Sequence, residues 1–374
     1  MKKYIAYLLL ITNQCFAGID EGKLAYYTQN YATALKELVP LAEIGNAEAQ
    51  GILGDMYFES NGLNQDVVKA LELYKKSAIQ GNDTGIRGLL KMEGQYYTTL
   101  LEDFMPLAEA GDKNAQLIIA NFFYQKSDYN AAIIWFRKSA EQGQTDAQFR
   151  LGLMLEGGKG TLKSVYEAAD WFLKSAIQSE KNNPADDMSI GVISLGDLLV
   201  QILEQNPEHK GYWFTNPTAQ RGIAWSYSSK NSSESIKWFL KAAQQGDISS
   251  QKELAQRYYI GNLVAQNYRE AFYWFLKAAS LGDSFSQSTM AGFYSEGFAS
   301  IPKNLVLAHM LYNLAGISKR SKSISQQRDE ITALLTPEQL DEAQELATKW
   351  KIGTPIPTAT KTYPSQPKSQ RRKK

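Results

Sequence analysis

The chain has 374 residues, 44% of them hydrophobic and 21% charged, with 40 Lys and Arg against 39 Asp and Glu for a formal charge of +1. That near-neutral balance excludes a protein dedicated to coating nucleic acid, which needs a strongly basic face. A single Cys excludes a disulfide scaffold or a multi-thiolate metal centre, and two distant histidines, His209 and His309, leave neither a zinc site nor an imidazole relay. No metal, no cofactor and no catalytic constellation are expected, which points away from an enzyme.

Residues 1–17 have the three-part layout of a secretory signal peptide: Lys2 and Lys3, the apolar run Tyr4 to Ile11, then Thr12-Asn13-Gln14-Cys15-Phe16-Ala17. Small residues at 15 and 17 predict cleavage after Ala17 and Sec-dependent export to the periplasm or beyond the cell. The apolar run is too short for a membrane span, which needs about twenty residues. Cleavage there removes the lone Cys and leaves no thiol to mispair in an oxidising compartment.

From residue 18 the chain repeats itself, and the repeat decides the fold. Trp135-Phe136-Arg137-Lys138-Ser139-Ala140, Trp171-Phe172-Leu173-Lys174-Ser175-Ala176, Trp238-Phe239-Leu240-Lys241-Ala242-Ala243 and Trp274-Phe275-Leu276-Lys277-Ala278-Ala279 nearly superimpose, with a weaker copy at Leu73 to Ala78. Gly followed by a polar residue comes after each block, at Gly45-Asn46, Gly81-Asn82, Gly111-Asp112, Gly143-Gln144, Gly246-Asp247 and Gly282-Asp283. Only Gly enters the left-handed C′ conformation without steric cost, so these positions end helices.

Upstream of the blocks an aliphatic residue is followed by Gly or Ala and, three places on, an aromatic or aliphatic one, as in Leu53-Gly54 with Tyr57 and Leu254-Ala255 with Tyr258. That spacing lies on one helical face. Each unit is therefore an antiparallel helix pair, A then B, joined by a turn such as Glu59 to Asp66 or Gly157 to Ser164. A single pair cannot bury its apolar faces, so the units must stack. The expected fold is all-α: a right-handed superhelical solenoid of stacked antiparallel helix pairs.

The order small-Gln, aliphatic-Gly, Tyr, glycine turn, Asp, Lys-Ala, aromatic pair, Lys, Ser-Ala and Gly-Asn resembles the Sel1-like repeat, a relative of the tetratricopeptide repeat. Residues 49–82 carry it most fully, with Ala49-Gln50, Leu53-Gly54, Tyr57, Gly62, Asp66, Lys69-Ala70, Tyr74, Lys76, Ser77-Ala78 and Gly81-Asn82. The resemblance covers residues 18–316, with degenerate units near 83–111 and 180–231. Residues 317–350 resemble the helical cap that follows such arrays. In the second degenerate stretch, residues 206–217 are too broken by Pro and Gly for a helix B, which predicts an ordered loop with an aromatic cluster. From Lys351 the chain holds four Pro and seven Lys or Arg and no acid, so 351–374 reads as a disordered basic tail on a body with 31 basic and 39 acidic residues.

The matched Trp135, Trp171, Trp238 and Trp274 are expected to be inter-repeat core, and His309 a packed helix B residue. Tetratricopeptide-like stacking implies that helix A lines a concave groove. The residues outside its packing pattern are then the partner-binding candidates: Asn121, Tyr124, Arg221, Trp225, Ser228, Lys252, Gln256, Tyr259, Ser288 and Ser295, with Trp225 and Tyr259 as anchors. His209, Tyr212 and Trp213 are candidates in the loop. The resemblance implies a monomeric, non-enzymatic protein-interaction scaffold. Exported relatives in intracellular bacteria such as Legionella point to host protein partners in host-cell invasion or vacuole trafficking. Two other expectations stand beside it, binding of anionic membrane lipid through basic residues and a cell-envelope adaptor role in peptidoglycan metabolism.

Overall fold

The computed structural model describes residues 18–92, 96–183, 189–208, 211–298, 301–318, 322–357 and 360. The expected signal peptide, His209 and the basic end of the tail lie outside the described residues. Two compact units divide the chain, 1–185 and 186–374.

The first unit has four helix pairs, α1 (18–27) with α2 (Tyr31–Glu43), α3 (Ala47–Glu59) with α4 (Val67–Ile79), α7 (Lys113–Gln125) with α8 (Tyr129–Glu141), and α9 (Thr145–Gly157) with α10 (Val165–Asn182); between α4 and α7, α5 (Asp83–Lys91) packs on α3 and α4, and α6 (Tyr97–Glu109) on α7. The second opens with α11 (Ile190–Gln205). It continues with the pairs α12 (Pro217–Tyr227) and α13 (Ser232–Gln244), α14 (Ile248–Ile260) and α15 (Tyr268–Ser280), and α16 (Ser284–Glu296) and α17 (Leu305–Ser318). Helices α18 (Lys322–Thr332) and α19 (Pro337–Lys349) both pack on α17. Among the described residues the only strand pairing is an isolated bridge between Phe298 and Ile301. The fold is an all-α solenoid.

The Gly-polar dipeptides close one helix and open the next. All six glycines have φ between +79° and +99°, the left-handed conformation that a Cβ disfavours. The residue after each is the N-cap of the following helix A: Asn46 accepts from the Ala49 N–H at 2.9 Å, and Asp112, Asp247 and Asp283 accept from Ala115, Ser250 and Ser286 at 2.7 Å.

The buried Gln of helix A ties each A back to the helix B before it. Gln50, Gln116, Gln148, Gln251 and Gln287 donate from Nε2 to the carbonyls of Ala42, Ala108, Ala140, Ala243 and Ala279 at 3.0–3.2 Å. Those carbonyls lie in the last turn of a helix, where each also accepts the backbone N–H of the glycine three residues on at 3.0–3.1 Å, so the Gln adds a second donor. In α12 the equivalent Gln220 donates instead to Phe214 at 2.7 Å, so the 3-10 turn Tyr212–Thr215 stands where a helix B would end. Trp213 is buried there and the Phe214 ring lies 6.2 Å from that of Trp238.

The helix A glycine admits the helix B aromatic: a Cβ on Gly54 would sit 2.6 Å from the Tyr74 ring, and one on Gly152 2.6 Å from Phe172. The expectation for the Trp blocks holds at Trp171, Trp238 and Trp274, which are buried, and fails only at Trp135, which is half-buried; the residue after each Trp, Phe136, Phe172, Phe239 or Phe275, is more deeply buried still. Each of the first three indoles has a Lys one turn on above its ring: Lys138, Lys174 and Lys241 at 3.7–4.0 Å. The sequence motif is thus a core Phe beside a Trp–Lys cation–π pair.

The tail also starts later than expected. Residues 351–357 fold back on α15: the Gly353 N–H donates to the Ser280 carbonyl at 2.8 Å, the Trp350 indole to the Thr354 carbonyl at 3.1 Å, and Ile356 is buried. Thr360 accepts from Asn304 at 3.0 Å. One apolar anchor, Ile356 buried in the cleft beside Ser280, together with the hydrogen bonds to Ser280, overcomes the local Pro-rich composition, while Ile352 stays largely exposed beside Gly282.

His309 on α17 is buried, and burial pushes its imidazole below the ordinary value, Arg328 adding to this and Asp329 opposing it. The unfolded chain then binds a proton that the folded chain resists. Stability of the C-terminal end should therefore fall as pH drops through about 6.5, the unfolded-state value. Chemical denaturation at pH 7.5 and 5.5 measures the loss, and His309→Gln should remove most of it.

Candidate interaction surface

The ninth residue of helix A falls on the same face of successive repeats, and in the first unit it is Tyr26, Asp55, Lys91 and Asn121 in α1, α3, α5 and α7. The first three join a self-satisfied network. Tyr74 donates to Asp55 at 2.8 Å, and Lys91 Nζ lies 3.5 Å from Asp55 and 3.1 Å from Glu59. Burial holds the Asp55 carboxyl above the usual range against the pull of Tyr74 and Lys91. Burial also pushes the Tyr26 phenol up to about 12, with the charges of Asp55 and Glu59 adding to it.

The next stretch of the same face is different. A cavity of about 180 Å³ opens between α5, α7 and α9. Asn121 lies at its floor, 3% exposed, with Nδ2 donating to the Leu117 carbonyl at 2.8 Å. Asp83 and Arg87 form the α5 wall, and Asp146 and Arg150 the α9 wall. On each wall the acid precedes the arginine by four residues, one helical turn. Both acids therefore lie toward the helix N-termini and both guanidinium groups one turn further on. Among the described residues none of these four side chains has an ion-pair or hydrogen-bond partner. Asp146 is solvent-exposed, yet crowding by the cavity walls holds its carboxyl above the ordinary range, and the charge of Asp83 adds to that, with Arg150 and Arg87 opposing.

The residues expected in the groove fare unevenly. Asn121 is buried but lines the floor of the cavity just described, whereas Arg221 is buried in an ion pair, its Nη1 donating to Asp247 Oδ2 at 2.6 Å. Trp225 and Tyr259, expected to be free of helix packing, are part of it. The Trp225 ring stands perpendicular to Phe239 at 5.2 Å with the Arg257 guanidinium 5.5 Å above it, and Tyr259 stacks on Phe293 at 5.7 Å. Tyr124 is half-buried, accepting from Lys159 at 2.9 Å and edge-on to Tyr129. Ser228, Ser288 and Ser295 turn their hydroxyls to backbone carbonyls of their own helices. Lys252 and Gln256 are half-buried. At Arg221, Trp225 and Tyr259 the physical cause is the same: adjacent A helices lie close enough for a long side chain to reach the next one.

In the loop, Tyr212 is 58% exposed while Trp213 beside it is buried. Sequence reasoning missed Asp83, Arg87, Asp146 and Arg150. The signal that could have found them is an acid followed four residues later by Arg, repeated in two A helices.

The Sel1 repeat matches residues 47–82, 122–144, 145–179, 219–247, 248–283 and 286–316, just over half of the chain. A chitin synthase regulator of Saccharomyces cerevisiae is 25% identical over 179 residues, which are 47% of this chain and 22% of the yeast protein. Among solved structures, a protective antigen present in uropathogenic Escherichia coli strains, displaying an SLR fold, is 28% identical with a TM-score of 0.37, covering 90% of this chain and 76% of that one. A Sel1 repeat protein from Oxalobacter formigenes is 22% identical with a TM-score of 0.32, covering 80% and 100%. The six matched segments follow the helix pairs whose caps, Gln bonds and glycine–aromatic contacts are described above, and the chain belongs to the Sel1 repeat family.

Proposed function

We propose that this chain is an exported, non-enzymatic scaffold that holds a segment of a partner protein against the helix A face of its first unit. Sel1 repeats mediate protein–protein interaction. The observation that carries the proposal here is the set of four charged side chains held on α5 and α9 and unpaired among the described residues. Fixed charges of known pattern select partners and orient them more than they add raw affinity. The signal-like residues 1–17 support export, and the resemblance to exported relatives in intracellular bacteria supports a host protein as the partner, in invasion or vacuole trafficking.

The test is affinity capture from host-cell lysate on the immobilised full chain, beside a variant carrying Asp83→Asn, Arg87→Gln, Asp146→Asn and Arg150→Gln. The expected result is one or a few proteins retained by the parent and at least tenfold depleted on the variant, with helical circular dichroism unchanged. Equal retention would remove the function from this face. Loss on deleting residues 361–374 instead would move it to the basic tail.

A further inference from the structure

The cavity between α5, α7 and α9 has a polarity of its own. Asp83 and Asp146 lie at one end, close enough that Asp83 exerts the strongest charge effect on Asp146, and Arg87 and Arg150 lie one helical turn along. One turn is about 5.4 Å of rise. The cavity's volume of about 180 Å³ has room for the charged ends of two side chains.

We propose that this cavity recognises an extended peptide segment carrying one basic and one acidic side chain two residues apart, the cation between Asp83 and Asp146 and the anion between Arg87 and Arg150. In an extended chain, residues i and i+2 point to the same side and lie about 6.6–6.8 Å apart. That separation matches one helical turn to within about 1.5 Å. Neighbouring residues would point to opposite sides, and residues four apart would overshoot at about 13 Å. A segment with two basic residues would set one of them against the arginines, and a segment with two acids would set one against the carboxylates, so like-charged peptides are rejected. The buried Asn121 amide closes the floor between the two ends.

This assignment rests on the helix A face being the binding surface, and it is tested without the natural partner. Fluorescence polarisation is measured on the full chain with labelled heptapeptides that differ only in a central Lys-Ser-Glu, Lys-Ser-Gln, Gln-Ser-Glu or Lys-Ser-Lys. The expected result is binding of Lys-Ser-Glu at least tenfold tighter than either singly charged peptide or the doubly basic one. With Arg87→Gln and Arg150→Gln together, the Lys-Ser-Glu and Lys-Ser-Gln peptides should become equivalent. With Asp83→Asn and Asp146→Asn, Lys-Ser-Glu and Gln-Ser-Glu should become equivalent instead. Affinity that follows net peptide charge alone, a preference that survives both double variants, or no binding of any peptide at 1 mM overturns the assignment. If capture of a protein partner still depends on the four residues, only the charge-pattern rule fails; if capture ignores them as well, the scaffold face fails with it.

Discussion

Asp247→Ala should destabilise the second unit by roughly 4–6 kcal/mol. Two losses combine at this residue. Its Oδ1 caps α14 through the Ser250 N–H at 2.7 Å, and removing such a cap costs about 1 kcal/mol. Its Oδ2 receives Arg221 Nη1 at 2.6 Å, with the two side chains only 3% and 9% exposed. Removing one member of a buried pair costs about 3–5 kcal/mol, because the desolvation of the remaining charge is offset less fully. Asp247→Asn keeps the cap and should lose only the second part, while Arg221→Met in that background should recover much of it. Urea denaturation followed by circular dichroism gives the totals. Hydrogen exchange should place the loosening in α12 and α14, since a stacked array loses stability chiefly at the interface that is altered. Equal stability of Asp247→Ala and Asp247→Asn would show that the cap contributes nothing. The same geometry makes Arg221 unsuitable as a binding probe, because Arg221→Ala would weaken capture by loosening the stack.

What could be read in the sequence was set by neighbours within one helix pair. The glycine ends, the turn from Glu59 to Asp66 and the packing of Gly54 on Tyr74 depend on residues of a single unit, and a single unit repeats visibly. The Gln50 bond to Ala42 crosses from one unit to the one before, so the Gln was visible as a motif while its function was not. The Trp blocks were legible because two successive aromatic positions are both drawn into the packing: Trp171, Trp238 and Trp274 are buried, and the next position, Phe136, Phe172, Phe239 or Phe275, is buried more deeply still. The groove list failed at Arg221 and Trp225 because it asked only whether a side chain was used by its own pair. Arg221 reaches Asp247 at the start of the next helix A, and Trp225 lies under Arg257 of that helix. Asp83 and Asp146 were passed over for the opposite reason, since each alone is an ordinary charge near a helix start. Their meaning lies in being brought together across α7.

The second large effect concerns α11, whose place in the second unit rests on a contact between backbones. A Cβ on Gly196 would lie 2.1 Å from the carbonyl oxygen of Gly222, and one on Gly222 would lie 2.6 Å from that of Val192. No rotamer change can relieve a clash with a carbonyl, so Gly196→Ala must push α11 and α12 apart. Overpacking of this kind costs about 1–3 kcal/mol and more where the obstacle is rigid, against a gain of about 1 kcal/mol from replacing Gly by Ala within a helix. With a rigid backbone obstacle the cost falls at or above the top of that range, so a net loss of about 2 kcal/mol or more is expected for Gly196→Ala. Gly54→Ala, which meets the Tyr74 ring at 2.6 Å, should cost less because a side chain can tilt away. Gly246→Ala has open space around it and should cost only the price of its left-handed backbone, about 1–2 kcal/mol. Thermal denaturation of the three variants, with proteolysis near residues 206–217 as a local readout, tests that order. If Gly196→Ala is no worse than Gly246→Ala, α11 is held by its side chains rather than by backbone approach. The turn that places Trp213 and the Gln220 bond would then be separable from the helix pair that follows it.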